Sequence, residues 1–69
     1  MTNLGIRVKQ LRKQKGWSQL RLAEIAGVSK TAIGDIETGV KTRLTKKQRI
    51  GISKALGVTI EELLLLEAR

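Results

Sequence analysis

Several kinds of chemistry are closed to this chain by what it lacks. There is no cysteine, so neither a disulfide nor a thiolate metal site can form. The absence of histidine removes the commonest general base and the commonest metal ligand. Proline, phenylalanine and tyrosine are missing as well, and Trp17 is the one aromatic residue. The longest apolar run, residues 63–66, falls far short of the ~20 residues that a membrane helix needs. No secretory leader is visible. Glu61 and Glu62 are adjacent and belong to a helix cap rather than to an acid–base pair, and no glycine-rich phosphate loop is present. These absences argue against an enzyme, a metal site, a cofactor, a small-molecule ligand and a membrane span. They suit a cytoplasmic protein.

Positive charge is abundant. The formal net charge is +8, from 14 basic and 6 acidic residues among 69, which is the footprint of a polyanion binder. Its distribution sharpens that reading. Residues 1–21 hold Arg7, Lys9, Arg12, Lys13, Lys15 and Arg21 with no acid, and residues 41–54 hold Lys41, Arg43, Lys46, Lys47, Arg49 and Lys54 with none. A surface charged only for solubility needs no such blocks. The length allows one small domain. Such a domain buries only ~60% of its unfolded surface, so its core needs supplementing, for instance by self-association.

Glycine with serine or threonine punctuates the chain, as helices require. Asn3 caps a first helix with Leu4, Val8 and Leu11 as its apolar stripe, and Gly16 ends it. Ser18 caps a second helix to about Ala26, and Ser29 a third to about Thr38, with Gly39 as terminator. Residues 40–44 form a loop. Thr45 with Gln48 opens a fourth helix, which Gly57 closes, and Thr59 with Glu62 opens a fifth. No run alternates long enough to argue a strand. The predicted fold is all-α: a compact five-helix bundle forming a single domain over residues 1–69.

The middle of the chain carries the geometry. Counting Gln19 as first, the fourth, fifth, eighth and ninth positions are Leu22, Ala23, Ala26 and Gly27. The tenth, fifteenth and eighteenth are Val28, Ile33 and Ile36. Ala23 is small where a second helix crosses close, and Gly27 sits in the turn, where positive φ is cheap only without a Cβ. The apolar residues fill the angle between two helices held near a right angle. That is the spacing of a helix-turn-helix over residues 18–38, which sends one helix into a major groove while the other crosses the backbone. With Ile33 and Ile36 inward, positions 30, 31, 34 and 35 fall on the outer surface.

Residues 6–39 followed by "ALGVTIEELL" resemble the Cro/repressor-type (XRE-like) helix-turn-helix family of phage repressors and bacterial regulators. The resemblance covers roughly residues 4–64. It implies a lambda-repressor-like five-helix domain that binds double-stranded DNA as a homodimer on a near-palindromic operator. Carried over residue by residue, Lys30, Thr31, Gly34 and Asp35 match positions that read bases. Gln19, Ser29, Thr38, Lys41, Thr42 and Arg43 match positions at the DNA backbone. Arg12 and Glu37 match a structural salt bridge. Relatives of this type often dimerise at the C-terminal end, and one helix face cannot bury all of residues 63–66, so Leu63, Leu65 and Leu66 are the candidate dimer interface.

Three positions depart from the pattern. Gly34 lies inside the reading helix, where it costs about 1 kcal/mol relative to Ala; either it brings backbone close to a base or it is merely tolerated. Asp35 is an acid aimed at a polyanion, and either accepts from a cytosine amino group or tucks against Lys30, Thr31 or a neighbour. Arg49 stands where relatives often have a core leucine, which leaves the register of the fourth helix open. The expectation is a DNA-binding transcriptional regulator, a repressor in sense. The competing reading is an antitoxin or other protein-interaction domain on the same fold.

Overall fold

Three tripeptides share one pattern: Gly16-Trp17-Ser18, Gly27-Val28-Ser29 and Gly57-Val58-Thr59. In a computed structural model, which describes residues 3–59 and 61–62, each is a joint that closes one helix and opens the next. Each glycine sits at φ 73°. The amide after it donates back to a carbonyl five residues earlier: Trp17 to Arg12 at 3.2 Å, Val28 to Ala23 at 3.0 Å and Val58 to Ser53 at 3.1 Å. This is the Schellman closure, which satisfies carbonyls that a helix end leaves orphaned. The apolar residue packs against the core. The hydroxyl then caps the next helix, Ser18 accepting from the Arg21 amide, Ser29 from that of Ala32 and Thr59 from that of Glu62.

The helices so delimited are α1 (Asn3–Gln14), α2 (Gln19–Ala26), α3 (Lys30–Thr38) and α4 (Lys46–Leu56). The sequence predicts five; among the described residues there are four. Of the fifth, the opening is present. Glu61 and Glu62 are helical, and the Thr59 amide donates to Glu62 Oε1 at 3.3 Å while the Glu62 amide donates to Thr59 Oγ1 at 3.1 Å. The remainder of that predicted helix, with Leu63, Leu65 and Leu66, lies outside the described residues. No strand occurs among the described residues, and none of their helices is long and apolar enough to cross a membrane.

One core unites the elements. Leu4, Val8 and Leu11 of α1, Leu22, Ala23 and Ala26 of α2, Ile33 and Ile36 of α3, Leu44 of the intervening loop, and Ile52 and Leu56 of α4 are all buried. α2 lies between α3 and α4, and α1 packs chiefly on α3. Two glycines permit the closest approaches. A Cβ on Gly5 would collide with the carbonyl oxygens of Ile36 and Glu37, and one on Gly51 with the carbonyl oxygen of Ala26. The register of α4 is set by Ile52, Ser53 and Leu56, which face inward, while Arg49 stays partly exposed.

Candidate nucleic-acid interface

The bend between α2 and α3 is short because Gly27 takes the left-handed conformation, φ 73° and ψ 32°. Leu22 and Ala23 on one side and Ile33 and Ile36 on the other are 2% exposed or less, so apolar packing fixes the angle. At 3.6 residues per turn, burying Ile33, Ile36 and Glu37 turns Thr31, Asp35 and Thr38 to the far side of α3, with Gly34 beside them and Lys30 at the margin. Lys30, Thr31 and Thr38 are exposed; Gly34 and Asp35 are partly exposed. Beneath this strip the helix is held by its cap, Ser29 Oγ accepting from the Ala32 amide at 3.1 Å.

Directly behind the strip lies a buried charged cluster that joins three elements. Arg12 of α1 donates from Nε to Glu37 Oε2 at 2.7 Å and from Nη2 to Glu37 Oε1 at 3.1 Å, the two-pronged geometry that suits guanidinium and carboxylate. Arg12 Nη1 also donates to the Trp17 carbonyl at 2.7 Å, and Gln19 Nε2 donates to Glu37 Oε1 at 3.1 Å. Glu37 is only 2% exposed and Arg12 8%, yet no buried side-chain polar atom lacks a partner among the described residues. Burying an ion pair is costly unless its remaining hydrogen-bond capacity is met. Here the Trp17 carbonyl and the Gln19 amide meet it.

The other candidate positions fall into two groups. Gln19, half-buried at the start of α2, is engaged with Glu37, and Thr38 Oγ1 donates to the Gly34 carbonyl at 2.9 Å. Lys41, Thr42 and Arg43 stand in the loop after α3, which the Lys41 amide ties back to the Asp35 carbonyl at 2.9 Å. Thr42 and Arg43 are exposed, and Lys41 partly so. The Arg12–Glu37 contact is the one ion pair among the described residues, which leaves the remaining basic side chains there unneutralised. Lys15 lies over the Trp17 ring, 5.3 Å from its centroid. Sequence reasoning did not foresee the roles of the Trp17 carbonyl, Gly5 or Gly51; a carbonyl's partner and the atom facing a missing Cβ leave no local pattern.

Known proteins share this arrangement. A family model described as helix-turn-helix matches residues 8–63. The HTH-type transcriptional regulator SinR of Bacillus subtilis (strain 168) is 39% identical over 61 residues, covering 88% of this chain and 55% of that protein. The chain therefore spans about half of SinR's length. A crystal structure of SinR in complex with DNA, described there as the master regulator for biofilm formation, matches with a TM-score of 0.82 at 39% identity, over 88% of this chain and 97% of that one. The restriction-modification controller protein C.AhdI from Aeromonas hydrophila matches with a TM-score of 0.80 at 29% identity, over 90% of this chain and 92% of the other. By its apolar frame, its glycine bend and these matches, the chain belongs to the XRE-type helix-turn-helix family.

Proposed function

We propose that this chain is a sequence-specific double-stranded DNA-binding transcriptional regulator, a repressor in sense, that acts as a homodimer on a near-palindromic operator in the cytoplasm, at the nucleoid. The observation that carries this reading is the outer strip of α3. It carries the exposed Lys30, Thr31 and Thr38 with the partly exposed Gly34 and Asp35 over a buried frame, and it leads into a basic loop that forms no ion pair among the described residues. The fold match to a SinR structure solved in complex with DNA supports this reading.

In this reading α3 enters the major groove and Lys30, Thr31, Gly34 and Asp35 meet base edges. The loop donors Lys41, Thr42 and Arg43, with Ser29 and the first turns of α2 and α3, hold phosphates and set the register. Gln19 Nε2 keeps a second N–H for a phosphate while the first serves Glu37. Thr38 serves there by turning its hydroxyl from the Gly34 carbonyl, where it now donates at 2.9 Å, to a phosphate oxygen. The domain measures 27 × 22 × 21 Å. Half-sites one helical turn apart are ~34 Å from centre to centre, so two copies are needed to read both. Leu63, Leu65 and Leu66 are proposed to join them.

Selection of bound duplexes from a random pool, read at two salt concentrations, tests the proposal. The expected result is a near-symmetric preferred site and an affinity that falls with salt at a log–log slope of roughly −0.9 per phosphate neutralised. A chain that ignores every duplex in dilute buffer overturns it.

A further inference from the structure

Resting on the reading of α3 as the base-contacting helix, we infer that Asp35 selects a cytosine, at a cost in general affinity for duplex. Four observations lead there. Asp35 lies on the outward strip of α3, between Thr31 one turn before and Thr38 about one turn after. Its carboxylate has no hydrogen bond and no ion pair among the described residues. Lys30, the nearest basic residue along the helix, sits five positions away, about 140° round the helix from Asp35 at 3.6 residues per turn. The remaining members of the strip are threonines and a glycine, which bring no charge to neutralise an acid. Lys41, whose amide donates to the Asp35 carbonyl at 2.9 Å, forms no ion pair with it either, so Asp35 stands as an unpaired, partly exposed acid on the surface that a net +8 chain turns toward a polyanion.

A carboxylate accepts hydrogen bonds and donates none. In the major groove only two groups donate, the N4 amino group of cytosine and the N6 amino group of adenine. Adenine sets the N7 acceptor beside its amino group, where the second carboxylate oxygen meets a lone pair. Cytosine has only a C–H at the corresponding place on its own ring. Guanine and thymine offer acceptors and repel the carboxylate. Asp35 therefore accepts from cytosine N4 at one base pair per reading helix and penalises other bases. Against sequence at random it finds mostly acceptors and phosphates, so it weakens nonspecific binding. Gly34, which meets only Gln19 Oε1 at 3.7 Å from a notional Cβ, leaves the helix surface beside Asp35 low enough for the base edge to come within reach of this short side chain.

The test compares the unaltered chain with Asp35→Asn and Asp35→Ala in selections from randomised duplex. The unaltered chain is expected to demand cytosine at one position. Asparagine, which bonds adenine N6 and N7 together, is expected to move that preference to adenine, and alanine to flatten it. Both variants are expected to bind random duplex severalfold more tightly at low salt, the gain fading as the Debye length shrinks below ~8 Å. A third arm leaves the protein untouched. Replacing the selected cytosine by 2-pyrimidinone, which lacks the amino group, should weaken binding of the unaltered chain on the order of tenfold and leave binding of Asp35→Ala unchanged. A preference that persists in both variants, or indifference of the unaltered chain to loss of the amino group, overturns the inference while leaving DNA binding standing. An unaltered chain that selects no site overturns both.

Discussion

Gly34 and Gly51 are both helical glycines, and the space around them is opposite. A Cβ on Gly34 would touch only Gln19 Oε1, at an ordinary 3.7 Å, whereas one on Gly51 would strike the Ala26 carbonyl oxygen. Gly34→Ala is therefore expected to raise stability by about 0.5–1 kcal/mol, and Gly51→Ala to lower it by about 1–3 kcal/mol through overpacking; denaturant midpoints of the two variants would show opposite signs. Sequence alone marked Gly34 as unusual and passed over Gly51, because what faces a missing side chain across a helix pair is not written in its neighbours. Glu37 poses a similar problem. Arg12 and Glu37 stand 25 positions apart with no pattern that pairs them; family resemblance named both, and the structure adds Gln19 and the Trp17 carbonyl as further members. Removing one partner of a buried pair costs ~3–5 kcal/mol, and small domains lose ~4–8 °C of melting midpoint per kcal/mol. Glu37→Ala should thus depress the midpoint by more than 10 °C on the same scale of roughly 4–8 °C per kcal/mol, while Glu24→Ala, at an exposed position, stays within ~0.5 kcal/mol of the unaltered chain. Equal midpoints for the two would remove the ion pair as a source of stability.

At the level of elements, boundaries were the most legible part of the sequence. Glycine, an apolar residue and a hydroxyl in succession give both the exit and the entry chemistry of a helix, and the joints at Gly16, Gly27 and Gly57 use all three. The exit of α3 breaks the pattern. Gly39 is left-handed too, but Val40 is 78% exposed and Lys41 stands where a hydroxyl would cap the next helix, so the chain runs on into the basic loop. The inward faces of α1, α2 and α3 were legible from periodicity. The register of α4 was not, since Leu44 from the loop and Gly51 in the helix both contribute to its seat and neither belongs to a clean apolar stripe. Within α3, Lys30 has the longest side chain of the candidate base readers and stands at the edge of the strip. Lys30→Ala is expected to cost ~1–3 kcal/mol on the preferred duplex and to relax selection at one base pair. Competition against random duplex checks this: an equal loss on both would make Lys30 a phosphate ligand.

For the molecule as a whole, the proposed self-association rests on duplex geometry and on the leucines at 63–66 of the sequence, a longer apolar run than one helix face would bury. Leu65→Lys combined with Leu66→Lys is expected to give a monomer in sedimentation, with weakened operator binding and intact helicity; a dimeric double variant would place the contact on another surface. Charge balance and domain size were readable from composition, whereas partner copies are not encoded in any single residue. The Arg12 guanidinium has one further consequence. It reaches from the first helix to the third and to the joint before the second, so none of these can open without stranding a charge in the interior. The reading helix should consequently have no private melting event. Amide protons of Ile36 and Glu37 are expected to exchange with deuterium only through global unfolding, at the same free energy as those of Val8 and Leu22. Earlier exchange in α3 would reveal a locally loosened state in which the groove-facing surface dissolves while the rest of the domain persists.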